Sequence, residues 1–179
     1  MLDFVKWLIF GLLLGWISLP LTWQLFKKLP SRGSYLAKPV GLLSWGFLFW
    51  LLVSIEIFRN NLSSQVTALL IIATLNGLVL YKIGWEPFNT WLKENRKFLI
   101  VTELIFFVFF SLWAIIRAAN PDIIHTEKFM EMAFINGILR SETFPPMDPW
   151  LSGYGISYYY FGYVLSAMLI RITNVASSV

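Results

Sequence analysis

The property that most restricts this chain is the recurrence of long apolar runs, of which Phe4 to Phe26 is the first. At about 1.5 Å per helical residue, such a run crosses a hydrocarbon core of about 30 Å. Asp3 and Lys6 followed by so long a run supply neither the short apolar region nor the small-residue cleavage site of a signal peptide. It therefore reads as a retained first span, with Pro20 predicting a kink near its end. Val40 to Phe58, Val66 to Tyr81 and Phe98 to Ile116 predict three more spans, and Ile156 to Ile172 a fifth. Hydrophobic residues make up 58% of the chain, charged ones 13%, and mean hydropathy is +0.68, all outside the usual soluble range. The expected fold class is an all-α membrane protein of about five transmembrane helices, with one extracytoplasmic loop carrying a short interfacial helix.

The residues that are missing exclude whole chemistries. Without cysteine there is no disulfide, no Cys-ligated zinc and no thiol catalysis, and a single histidine excludes a His-rich metal site. The net charge of +4 is not gathered into a basic stripe interleaved with exposed aromatics, which argues against nucleic acid as a partner. Nine tryptophans fit anchoring at a membrane interface instead.

Polar residues inside the runs are few enough to read singly. Gly41, Ser44 and Gly46 fit either ordinary span composition or close helix packing, and Asn76 is expected to bond a neighbouring helix. Glu103 lies about one and a half turns into the fourth run, where a carboxylate is a functional candidate by default. An ion pair with Lys97 or Arg96 at the interface is the reading preferred over that one.

Charge sets the orientation. With the N-terminus outside, the inner side holds Lys27, Lys28, Arg32, Lys38, Lys82, Lys93, Arg96, Lys97 and Arg171, leaving Lys6, Arg59, Arg117, Lys128 and Arg140 outside. The positive-inside rule then places the chain in the cell membrane with its N-terminus and residues 119–155 outside the cytoplasm. The expected organisation is a four-helix membrane region over 1–118, an extracytoplasmic loop with an amphipathic helix over 119–155, and a fifth transmembrane helix with a tail over 156–179.

Chemistry collects between Asn120 and Tyr163. Asn120-Pro121 breaks the fourth helix and leaves Asp122 at the membrane surface, where it either accepts a proton, ligates a divalent cation or caps the following turn. Thr126 to Leu139 predicts a short helix with Thr126 as N-cap, its apolar side carrying Phe129, Met130, Ala133, Phe134 and Ile138. Glu127, Lys128 and Glu131 form either a solvated face or, for Glu127 and Lys128, a contact to phosphate or sugar; His125 reads as a surface residue. Three prolines between Phe144 and Trp150 stiffen an ordered loop that holds Asp148 and Trp150. Trp150 serves as an interfacial anchor or stacks on a sugar face. Tyr158, Tyr159 and Tyr160 cannot all face one side of a helix turning about 100° per residue, so at least one hydroxyl needs a protein partner.

The run NPDIIHTEKFMEMAFINGILRSETFPPMDPWLSGYGISYYYFGYVL resembles the family of uncharacterised multi-pass membrane proteins named for its YYY domain. Leu19-Pro20-Leu21-Thr22, Leu29-Pro30-Ser31-Arg32-Gly33 and Lys38-Pro39-Val40-Gly41 extend the resemblance toward the N-terminus. Members of that family are much longer, which implies that this chain corresponds to the N-terminal part of such a protein. Their arrangement is similar to the GT-C class of membrane glycosyltransferases, which use lipid-phosphate-linked sugar donors. That similarity implies a role for Asp122 as general base toward an acceptor hydroxyl or as part of a divalent-cation site. It further implies Lys128 or Arg140 opposite the phosphate, Glu127 and Asp148 as the next catalytic or metal candidates, and Arg140, Trp150, Tyr158, Tyr159 and Tyr160 around the substrate. The implied partners are membrane lipid and a polyprenyl-phosphate sugar. Other readings are a noncatalytic protein that binds or moves lipid or glycan, and a structural subunit. No adjacent acidic pair accompanies Asp122, a departure from the GT-C pattern.

Overall fold

In the computed structural model, which describes residues 2–124 and 127–177, the described residues form seven α-helices and no strand. They are α1 (Leu2–Leu25), α2 (Ala37–Ser54), α3 (Leu62–Ile83), α4 (Trp85–Glu94), α5 (Arg96–Ala119), α6 (Lys128–Arg140) and α7 (Phe161–Thr173). Four of them are long and apolar enough to cross a membrane: α1, α2 with the 3-10 turn Pro30–Leu36 ahead of it, α3 and α5. α7 is a shorter apolar helix. The chain is thus an all-α membrane protein, as its apolar runs predict.

Two boundaries and one additional helix depart from what the runs suggest. α2 ends at Ser54 rather than Phe58, and Glu56 turns the chain at φ 61°. α7 begins at Phe161 rather than Ile156, because Ile156 is buried with its N–H on the carbonyl of Pro146 and so belongs to the preceding loop. Its 13 residues extend about 20 Å. The polar stretch between Lys82 and Lys97 contains α4, whose Phe88 and Trp91 are buried.

The structure divides into two compact units, the first made of Met1–Leu42 and Leu70–Asn120. Pro20 offers no N–H and interrupts the α1 ladder. Beside it the Leu21 N–H donates to Asn76 Oδ1 on α3 at 3.1 Å, while Asn76 Nδ2 donates to the Ile72 carbonyl at 2.9 Å. Asn76 therefore does bond a neighbouring helix, and it does so beside the proline. Gly41 lets α2 approach α1 closely, since a Cβ there would lie 2.9 Å from the Leu14 carbonyl oxygen and against the Ser18 hydroxyl. Leu19, Trp23, Ala37, Phe88 and Trp91 form the buried core at the far end of α1, with Trp23 edge-on to the other two rings.

Glu103 is paired with neither Lys97 nor Arg96. Both its oxygens accept from Lys38 Nζ, at 2.6 and 2.7 Å. Residues six or seven positions apart on one helix are separated by about 10 Å, too far for a close pair. Lys38 arrives from α2 because Gly15 leaves it a passage: a Cβ at that position would sit 2.7 Å from Lys38 Cγ. The Lys38 ammonium also lies 4.5 Å from the centre of the Phe106 ring.

The second unit comprises Leu43–Leu69 and Pro121–Val179. Trp45, Phe49, Val53, Ala68, Val164 and Met168 are fully buried, and Gly46 leaves no room for a Cβ against Leu165. α6 packs on α7 and buries Phe134 and Ile138, whereas Phe129 of the predicted apolar face is exposed. The end of α6 is closed by two side chains from elsewhere. Asn60 Nδ2 donates to the carbonyls of Ile138 and Ser141 at 2.6 and 2.7 Å. Arg171 donates to Asn60 Oδ1 at 2.6 Å and to the Leu139 carbonyl at 2.9 Å. Carbonyls that a helix leaves unpaired at its C-terminus are thereby satisfied, partly by a cation that the helix dipole favours. Charge counting assigns Arg171 to the side opposite residues 119–155, whereas in the structure its guanidinium sits against the Leu139 carbonyl.

Candidate functional site

The loop between α6 and α7 is organised as a small hairpin. Met147 bridges to Gly155, the Asp148 N–H donates to the Tyr154 carbonyl at 2.9 Å, and the Ile156 N–H donates to the Pro146 carbonyl at 2.8 Å. At its tip Asp148 Oδ1 accepts the N–H groups of Trp150 and Leu151 at 2.8 and 3.0 Å. That is an Asx turn. Asp148 therefore fixes where Trp150 stands, and one of its oxygens is already occupied.

Aromatic rings gather around Phe134 of α6. Its ring centre is 5.4 Å from Trp150, 5.8 Å from Tyr158 and 5.6 Å from Tyr163. Phe134 is buried, while Trp150 is 61% and Tyr159 78% exposed, so a buried ring supports a surface of open aromatic faces. Tyr158 and Tyr159 stack at 3.9 Å, and the Tyr158 hydroxyl donates to that of Tyr159 at 2.7 Å. This hydrogen bond, with slight desolvation and the charge of Glu127 adding to it, pushes the Tyr158 hydroxyl up to about 12. Glu131 and Glu127 also act electrostatically on Tyr163. Two carboxylates thus border the aromatic surface.

The predicted residues divide accordingly. Glu127, Trp150, Tyr158 and Tyr159 come together, and Asp148 holds one of them in place. Tyr160 turns away: its hydroxyl accepts from Trp50 Nε1 at 3.2 Å and its ring packs on Phe144. It is the tyrosine whose hydroxyl finds a partner across the fold. Lys128 Nζ donates to the main-chain carbonyl of Asp122 at 3.1 Å, which ties α6 to the exposed segment after α5. Arg140 ends α6 and is exposed. His125 and the expected N-cap Thr126 lie outside the described residues. Phe134, Glu131 and Tyr163 were not singled out for the site by sequence, although Tyr159 and Tyr163 stand four apart, as do Glu127 and Glu131.

A hard divalent cation takes about six or more oxygen ligands. Among the described residues no group of three or more His, Asp or Glu side chains is placed to hold one. The described donor set around Asp122 therefore does not fit a resident cation. What the surface can do is stack a sugar ring on exposed aromatic faces while carboxylates accept hydrogen bonds from its hydroxyls.

Four spanning helices, a shorter apolar helix and this aromatic, acidic surface define a polytopic α-helical membrane protein. The chain belongs to the uncharacterized membrane protein family DUF2298, which matches residues 44–179. No curated protein and no solved structure matches it.

Proposed function

We propose that the chain handles a sugar carried on a lipid phosphate, as part of a GT-C-like membrane glycosyltransferase. One observation carries this reading: exposed faces of Trp150 and Tyr159 are backed by Phe134 and bordered by Glu127 and Glu131, in a chain made otherwise of apolar spans. The sugar rests on Trp150 and the Tyr158–Tyr159 pair. Asp122 takes the proton of an acceptor hydroxyl as its oxygen bonds to the anomeric carbon. The bond from that carbon to the lipid phosphate oxygen breaks, and its electron pair leaves with the phosphate. Lys128 and Arg140 offset the charge that develops there. In the orientation we propose, the N-terminus and residues 119–155 are outside the cytoplasm. Moving Arg171 to that side turns the nine and five basic residues into eight inside and six outside, still a positive-inside bias.

The test is sugar transfer from a polyprenyl-phosphate donor in membranes carrying the protein. Asp122→Asn is expected to lower transfer by at least about a hundredfold while membrane insertion is unchanged. Undiminished product in that variant removes Asp122 from the mechanism.

A second reading has its own support. Asp148 and Tyr160 are engaged in structural bonds. That favours a noncatalytic surface which binds or moves lipid or glycan. Under it, ligand alters the emission of Trp150 with no turnover, and Asp122→Asn changes neither.

A further inference from the structure

The turn between α1 and α2 carries a strained backbone that the proposed transferase does not use. Ser31, Arg32 and Gly33 follow one another in the left-handed region, at φ 47°, 50° and 64°. Only the third is a glycine, and Gly33 is confined to that type, since a Cβ would lie 2.7 Å from Phe26 Cβ. For Ser31 and Arg32 this conformation is costly and persists only where the surroundings impose it. What it achieves is the placement of Arg32, whose guanidinium carbon sits 3.7 Å from the centre of the Trp23 ring.

Arg32 lines a pocket of about 340 Å³ together with Trp23, Gln24, Val79, Lys82 and Ile83. Its polar walls are two cations and an amide, and no carboxylate lines it. Among the described residues neither the Arg32 guanidinium nor the Lys82 ammonium has a hydrogen-bond or ion-pair partner. Lys82 stands in the last turn of α3, where a cation offsets the helix dipole. Arg32 has no such account: it is fixed in place with its donor fork unfilled. The pocket lies where two membrane-crossing helices, α1 and α3, end.

We propose that this pocket binds the phosphate of an anionic phospholipid headgroup, held by Arg32 and Lys82 with the Gln24 amide beside them. Arg32 supplies paired, charge-assisted donors to two phosphate oxygens and Lys82 a point charge. The neighbouring bilayer supplies the ligand, as it does for basic groups just outside a span.

Native mass spectrometry of the full chain tests this, with phosphatidylglycerol and phosphatidylcholine as probes. Wild type is expected to retain phosphatidylglycerol about tenfold more strongly. Arg32→Asn together with Lys82→Gln is expected to bring that preference down to none. Asparagine is chosen because it tolerates the left-handed conformation, and Lys82→Gln alone, at an exposed helix end, reports if the pair does not fold. Competition by inorganic phosphate supports the site with a soluble source of the same chemistry. Undiminished preference in both variants overturns it.

Discussion

Tyr158 shows how a single contact becomes measurable. Its hydroxyl donates to Tyr159, and the hydrogen bond is the largest of the effects that raise it from 10.0 to about 12. Deprotonation destroys the donor, so the contribution of this bond to folding is fully present below pH 10 and is lost as pH rises toward 12. In a phenolate absorbance titration, the difference between wild type and Tyr158→Phe is expected to rise near pH 12, and Tyr159→Phe is expected to return it toward 10. A wild-type difference centred at 10 contradicts the stacked, bonded pair. That Glu103 needs a cation was legible from a carboxylate in an apolar run; that the cation is Lys38 was not, because the partner is set by the passage that Gly15 leaves between helices.

Among the elements, the four spans were legible because hydropathy alone dictates a helix in a bilayer, where every backbone polar group must be satisfied internally. α4 was hidden by its charges: it is short, and its buried face is little more than Phe88 and Trp91. The start of α7 was hidden because apolar Ile156 looks like span while its backbone pairs with Pro146. Arg171 links α7 to the end of α6 and to the Asn60 turn. Arg171→Ala leaves Asn60 Oδ1 and the Leu139 carbonyl without that donor, at a cost of about 2–3 kcal/mol. Thermal unfolding in detergent is expected to show a lowered midpoint, with Arg171→Lys intermediate because an ammonium lacks the fork that reaches both acceptors. An unchanged midpoint in Arg171→Ala would mean the network contributes nothing.

For the molecule as a whole, the exposed aromatic surface falls between Asn120 and Tyr163, the stretch in which the polar residues collect. What a linear reading could not supply is the sorting of its residues. Tyr160 and Asp148 look equal to Tyr158 and Trp150 until packing assigns the first pair to Trp50 and to a turn. Phe134 looks like ordinary apolar stripe until three aromatic rings surround it. What remains is the surface of Trp150, Tyr158 and Tyr159 over Phe134, and binding probes it without assuming turnover. The decisive measurement is the equilibrium affinity of the protein in lipid nanodiscs for a polyprenyl-phosphate sugar against the bare polyprenyl phosphate. Wild type should prefer the sugar-bearing lipid, and Trp150→Ala should weaken that binding by about tenfold while leaving the bare lipid unaffected. Equal affinity for the two lipids, unchanged in Trp150→Ala, would contradict a sugar platform at this surface.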